Sequence, residues 1–303
     1  MSVNQLVATL DNHNFGNYDN LTIWHNAAQQ AIWFSMAVTP RPCFTWNLVR
    51  DIMRFQHAVK EHFSNNGIRY LVLASSSQDV FSFGGDLQLF RELIAEQKRP
   101  ALSAYAMDCV TVLYNHAVSL HLPITSIALV EGDALGAGFE TALASNVLIA
   151  ERGTKLGFPE TLFNLIPGHG AYNLLCRRIG AKAAKEMILG GKLYSAEALY
   201  EMKLIDVLAD RGAGRNAVDA YILQQNKLWN AYYALQRVQQ TYQPLTREEL
   251  QCSAEIWVDA ALQVRPAHLR IMDKLIRAQT RVLSQVALSE KNRRPTESSE
   301  HLL

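Results

Sequence analysis

Apolar residues along the chain fall into a repeated order: a short run of strand formers, a turn containing glycine, then a stretch in which large apolar residues return every three or four positions. The first two runs, LTIWH (Leu21 to His25) and AIWFSMA (Ala31 to Ala37), flank a polar NAAQQ and predict a hairpin. After the Pro40-Arg41-Pro42 break, Leu48, Ile52, Phe55, Val59 and Phe63 recur at helical spacing, with a helix stop at Asn65-Asn66-Gly67. The continuous apolar run YLVLA, Tyr70 to Ala74, reads as a strand covered on both faces. A loop with glycine follows at Phe83 to Asp86.

The same unit then repeats. Leu87 to Leu122 carries helix formers that Pro100 splits in two, and Pro123 precedes a buried strand, Ile124 to Val130. That strand runs into a second glycine-rich turn, Gly132 to Gly138, from which a helix starts at about Ala137 and continues through Leu143. A third apolar strand, Val147 to Ala150, leads to Lys155 to Phe158 and Pro159-Glu160. This order predicts an α/β fold wound as a strand-rich spiral, not as an alternating doubly wound sheet. Helices dominate from about Ala171. Residues 216–285 keep a helical period with Pro244 and Pro266 as breakers, and the polar tail from about Glu290 is expected to fray. The expected division is a spiral core over 1–212, a helical region over 213–289 and a flexible tail over 290–303.

Composition narrows the function. Across 303 residues, 29 basic and 28 acidic side chains give a net charge of +1, so nothing draws the chain as a whole toward nucleic acid or an anionic membrane. Hydrophobic residues at 49% are enough for a sizeable core. No run of apolar residues is long enough to span a membrane, and the first twenty residues lack a basic segment leading into an apolar one, so neither a membrane span nor secretion is expected. Cys43, Cys109, Cys176 and Cys252 match neither a zinc spacing nor a disulfide framework, and read as reduced thiols of a cytoplasmic protein.

The common catalytic signatures are missing. Gly136-x-Gly138 is followed by Thr141 where a dinucleotide fingerprint needs a third glycine, and there is no phosphate loop, HExxH or GxSxG. What remains is backbone and carboxylate. A helix that begins at a glycine turn offers unpaired N–H groups and the positive end of its dipole, and Ala137 occupies such a position. The turn Phe83-Gly84-Gly85-Asp86 resembles it, with Asp86 placed to cap the next helix. Each turn taken alone needs no ligand; together, two N–H groups facing one point make an oxyanion hole.

Glu140 follows Ala137 by one helical turn, and Glu160 comes after the next strand and Pro159. Glu140 interrupts the small, apolar run LGAGFETALA, where a buried carboxylate must be compensated by an ion pair or by a function. If both carboxyls share one cavity, burial and proximity raise at least one pKa and set a protonated acid beside an ionised base. That equipment suits removal of a proton alpha to a thioester carbonyl. General acid and general base would each contribute about 10²–10⁴-fold, and each donor to the enolate oxygen about 2.7–4 kcal/mol.

The stretch from Val72 to Asp206 resembles the enoyl-CoA hydratase/isomerase (crotonase) superfamily. FSFGGDL at Phe81 to Leu87 is similar to its first oxyanion loop, EGDALGAGFETALASN at Glu131 to Asn146 to its second, and FPETLFNLIPGHGA at Phe158 to Ala171 to its third signature. KLYSAEALYEMKLIDVL at Lys192 to Leu208 is similar to its helical close. The resemblance implies a ββα spiral core, a C-terminal helical region that covers the site, and trimers or dimers of trimers. By position it implies that Gly85 and Ala137 supply the oxyanion N–H groups and that Glu140 and Glu160 are the acid/base carboxylates. The expected roles are Glu160 as base at C2 and Glu140 as acid or water activator. Neither metal nor redox cofactor is implied.

The branch most resembled is the diffusible signal factor synthases. It implies dehydration of a 3-hydroxyacyl chain on acyl carrier protein to a cis-2-enoyl thioester, hydrolysis to a free fatty acid, and a sensor kinase as a partner. Coenzyme-A-using members commonly carry an asparagine-alanine-leucine segment after the first strands, where this chain reads TPRPCFTWNLV. Two alternatives stand beside this reading: an enoyl-CoA hydratase of fatty-acid metabolism, and a lipid-binding regulatory partner without turnover. The expected substrate pocket comprises Gly84, Leu135 and Gly136 from the turns, with Trp257 and Leu275 from the C-terminal helices. Arg270, Lys274, Arg277 and Arg281 form a basic stripe suited to solvent or to an acidic carrier protein. His169, between two glycines, reads as satisfied by backbone and receives no role.

Overall fold

The computed structural model describes residues 15–39 and 41–293. Pro40, most of the N-terminal segment read for a leader, and the tail beyond Arg293 lie outside the described residues. The hairpin forms as β1 (Leu21–Asn26) and β2 (Ala31–Met36), paired antiparallel. Helix α1 (Trp46–Asn66) starts where the Thr45 hydroxyl accepts the Leu48 N–H, and stops at Gly67, whose φ of 57° is left-handed.

The spiral follows from what each strand buries. β3 (Tyr70–Ser75), β5 (Thr125–Val130) and β7 (Val147–Glu151) join β2 as parallel neighbours, and β10 (Val207–Ala209) closes a six-stranded sheet in the order β1-β2-β3-β5-β7-β10. Alternate residues of these strands enter different apolar clusters. Leu71, Leu73, Ala128 and Leu148 face the main core, while Val72, Ile127 and Ile149 face a second cluster covered by Val218 and Ile222 of α7 (Gly214–Asn226). Both faces are therefore dry, which is why the sequence shows continuous apolar runs.

Each central strand is followed by a short strand of a second sheet. That sheet runs β4 (Val80–Ser82), β6 (Asp133–Leu135), β8 (Lys155–Gly157) and β9 (Leu193–Ser195), with β9 antiparallel. After β4 come α2 (Leu87–Ala95) and α3 (Arg99–Ala117); after β6 comes α4 (Ala137–Ala144); after β8 comes a 3₁₀ turn, Pro159–Phe163, then α5 (Ala171–Gly190). Pro100 sits in the first turn of α3, where its missing N–H costs nothing. α6 (Ala196–Glu201) joins β9 to β10.

The C-terminal region departs from the expected pattern. The long helical period is broken after Asn226 as well as at the prolines, giving α7, α8 (Trp229–Tyr242), α9 (Arg247–Leu262) and α10 (Pro266–Arg293). Pro266 opens α10, as a residue without an N–H can, and the helix runs to Arg293, past the expected fraying point at Glu290. α9 packs along α3, and α10 crosses α2 and the 159–163 turn. Arg99 clamps α9 through Glu255 at 2.7 Å and Asp259 at 2.9 Å. These helices form one wall of the cavity described next.

Candidate active site

The first glycine turn is fixed by the segment before α1. Phe83 N–H donates to Pro42 O at 2.6 Å, and Phe44 N–H donates to Gly84 O at 2.8 Å. Arg41 forks onto Asp86 with Nη1–Oδ1 at 2.7 Å and Nη2–Oδ2 at 2.8 Å, while Asp86 also accepts the Leu89 N–H and caps α2. The second turn lies directly behind the first. Gly84 has φ +94°, and a Cβ there would fall 2.7 Å from Leu135 O and 3.1 Å from Ala137 N. Only glycine allows this approach, which brings the neighbour Gly85 beside the start of α4. Ala137, first residue of α4, has no intrahelical acceptor for its N–H.

Gly85, Ala137, Glu140 and Glu160 all line one cavity of about 280 Å³. Glu140 is 1% exposed, yet both of its oxygens are engaged. Oε1 accepts the main-chain N–H groups of His169 at 2.8 Å and Ala171 at 2.9 Å, and Oε2 lies 3.3 Å from His169 Nδ1. The carboxylate thus sits at the N-terminus of α5, where main-chain donors and the helix dipole favour negative charge.

Glu160 is held differently. The 3₁₀ turn after Pro159 points it at the cavity, and its buried Oε2 finds no hydrogen-bond partner among the described residues. Burial, and then the nearby Glu140 carboxylate, push its pKa up from 4.5 to about 8. His169, whose ring is 6.0 Å from Trp257 and 6.4 Å from Tyr105, shares the wall. Burial opposes charge on this imidazole, but Cys109 and Glu140 outweigh it and push its pKa up to about 10.

The remaining expected pocket residues divide. Leu135, Trp257 and Leu275 line the cavity, whereas Gly84 and Gly136 do not. Their Cα atoms back onto Leu135 O and the Glu160 carboxyl respectively, so they make room for the wall without forming it. Phe83, Phe90, Leu162 and Phe163 add apolar surface that sequence reading did not assign. For Phe83 a signal existed in its bulk within a glycine turn. His169 was expected to be satisfied by backbone and without a role; instead its main chain and ring both serve Glu140. Arg270, Lys274, Arg277 and Arg281 are all exposed, away from the cavity lining. All four cysteines are free. Among the described residues, no helix is long and apolar enough to cross a membrane, and no group of His, Cys, Asp and Glu is placed to hold a metal ion.

A spiral of strand-strand-helix turns that brings two carboxyls and two turn backbones to one apolar cavity defines the crotonase type of α/β fold. The chain belongs to the enoyl-CoA hydratase/isomerase family, whose family model matches residues 48–252, more than half of its length. It is 33% identical over 168 residues to the Bacillus subtilis protein YngF, whose name places it among the enoyl-CoA hydratases/isomerases; the match covers 55% of this chain and 62% of that one. It is 27% identical over 187 residues to human mitochondrial methylglutaconyl-CoA hydratase, covering 62% of this chain and 48% of the relative. The chain thus spans about half to three-fifths of the length of these two relatives. The crystal structure of enoyl-CoA hydratase from Bacillus halodurans shares the fold, with a TM-score of 0.70 at 19% identity, over 84% of this chain and 100% of that one.

Proposed function

We propose that the protein adds water to, and eliminates it from, C2 and C3 of an acyl thioester. The observation that carries this reading is the unlike setting of two carboxyls on one cavity. Glu140 accepts two main-chain N–H groups and faces an imidazole, while Glu160 has an oxygen unpartnered among the described residues and keeps its proton up to about pH 8. In the addition direction Glu140 takes a proton from water as its oxygen attacks C3, and Glu160 delivers its proton to C2. The enolate oxygen is held by the N–H groups of Gly85 and Ala137. Elimination reverses the path: Glu160 takes the C2 proton and Glu140 protonates the departing hydroxyl. Both directions use the same charge state, one proton shared by the pair.

Within that chemistry, the substrate we favour is a 3-hydroxyacyl chain on acyl carrier protein. Dehydration would give a cis-2-enoyl thioester, and water activated by the same glutamates would release the free unsaturated acid, as in the diffusible signal factor synthases the sequence resembles. Arg41 supports the carrier protein over coenzyme A, because its guanidinium is committed to Asp86 and not offered to a phosphate. The exposed cations Arg270, Lys274, Arg277 and Arg281 give an acidic carrier protein a face to meet. This reading includes a cytoplasmic homotrimer or dimer of trimers and a sensor kinase as partner. Hydration of enoyl-CoA is the second reading, favoured by the names of the relatives.

Purified protein is offered matched 3-hydroxyacyl and enoyl chains on coenzyme A and on carrier protein, with mass spectrometry of the products. Free cis-2-enoic acid from the carrier substrate supports the first reading, and interconversion of the coenzyme A thioesters alone supports the second. Acyl-chain binding without turnover of either would overturn both in favour of a lipid-binding partner.

A further inference from the structure

Glu140 is gripped from a single three-residue turn. His169 and Ala171 give their main-chain N–H groups to Oε1, and among the described residues only the His169 ring reaches Oε2. The main-chain bonds would survive any side chain but proline at position 169, so the ring's contribution is separable from the turn's. That ring is 4% exposed and wedged between Tyr105 and Trp257, which fix its plane. Among the described residues its buried Nε2 has no hydrogen-bond partner, so the ring's polar hold on the carboxyl pair is the Nδ1 contact to Glu140, with the Cys109 thiol beside it.

We infer that His169 is a positioning residue: its imidazolium pins Oε2 of Glu140 and thereby keeps the proton shared by the two glutamates on Glu160. The inference rests on the proposed acid/base chemistry of that pair. The titratable groups around the ring are Glu140 on α4, Glu160 on the 159–163 turn, and Cys109 and Tyr105 on α3; α9 presents only the Trp257 indole. Against the cost of burial, Cys109 and then Glu140 draw the ring toward the charged form, in agreement with a histidine pKa near 10. A cation beside the pair also makes Glu160 easier to ionise. Removing it therefore raises the proton affinity of both carboxyls together.

The test is the pH–rate profile of H169Q, which keeps the main-chain bonds and loses the charge. Both limbs of kcat/KM should move to higher pH by about one unit, so that H169Q falls up to roughly tenfold behind the parent along the acid limb and overtakes it above about pH 8. A loss of the same size at every pH, or an unmoved profile, overturns the inference. A second measurement needs no turnover: ¹⁵N NMR of the histidine rings in the parent and in E140Q. An imidazolium at position 169 that persists above pH 8 in the parent and is lost at lower pH in E140Q supports the inference; a neutral ring at pH 7 in the parent overturns it. If the parent turns over no thioester while the ring titrates as stated, the proposed reaction fails and the His169–Glu140 pairing stands.

Discussion

Gly136 makes the space in which the Glu160 carboxyl lies: a Cβ on Gly136 would fall 2.3 Å from Glu160 Oε1. The glycine also holds φ 53° and ψ −124°, a conformation that L residues rarely adopt. One residue thus starts helix α4 and sets the position of an acid 24 residues later in the chain, as the numbering of the two shows.

G136A should therefore damage chemistry more than folding. Backbone strain costs on the order of 1–3 kcal/mol, while displacement of Glu160 by about an ångström costs on the order of 10²-fold in kcat. Thermal unfolding and steady-state kinetics on the same preparation check both parts. A variant with parental kcat would show that Glu160 is not held by this contact.

The pH dependence follows from the charge of the pair. Above about pH 8 Glu160 loses the single shared proton, so turnover should fall in both the hydration and the dehydration directions, with the same limb in each. Rates from both substrates over pH 6 to 10 test this, and a rate that climbs through pH 8 in either direction contradicts it.

Stability should carry a mark of the same group at lower pH. Between its ordinary value of 4.5 and about 8, folded Glu160 keeps a proton that the unfolded chain has released, so stability falls as pH rises through that window. E160Q removes this term. Its stability relative to the parent should rise from pH 5 to pH 9 by on the order of 1–2 kcal/mol, the partly exposed side chain reducing the full effect. Denaturant melts at the two pH values give the difference, and a gap that does not change with pH would contradict the raised pKa.

Trp257 closes the cavity from α9, 3% exposed and edge-on to Phe90 at a centroid distance of 5.0 Å. W257A should lose about 3–5 kcal/mol of stability and shift preference toward bulkier acyl chains. Calorimetry and a chain-length series of thioesters measure the two effects. An unaltered chain-length preference would mean that Trp257 does not bound the acyl chain.

Much of this architecture was legible in the sequence because it depends on local pattern. Strands such as Tyr70–Ser75 and Thr125–Val130 are apolar throughout since both sheet faces are covered, and the helix stop at Gly67 and the cap at Asp86 stand where their chemistry requires. Strands of three residues, Leu193–Ser195 and Val207–Ala209, are too short to impose a period, and the break between α7 and α8 carries neither glycine nor proline. Glu140 and Glu160 were visible as charges in apolar surroundings. His169 was not, because what compensates Glu140 is largely main-chain N–H from a turn 29 residues away, and such donors leave no side-chain signature.

The central claim is that two carboxyls with unlike settings exchange protons with one bound thioester. Its most direct test is the rate of interconversion of matched enoyl and 3-hydroxyacyl thioesters by the parent, E140Q and E160Q, with acyl-chain binding measured alongside. The expected result is turnover by the parent and a loss of about 10²-fold or more in each variant, with binding retained. A variant of either glutamate that binds the chain and still turns over at the parental rate would contradict it.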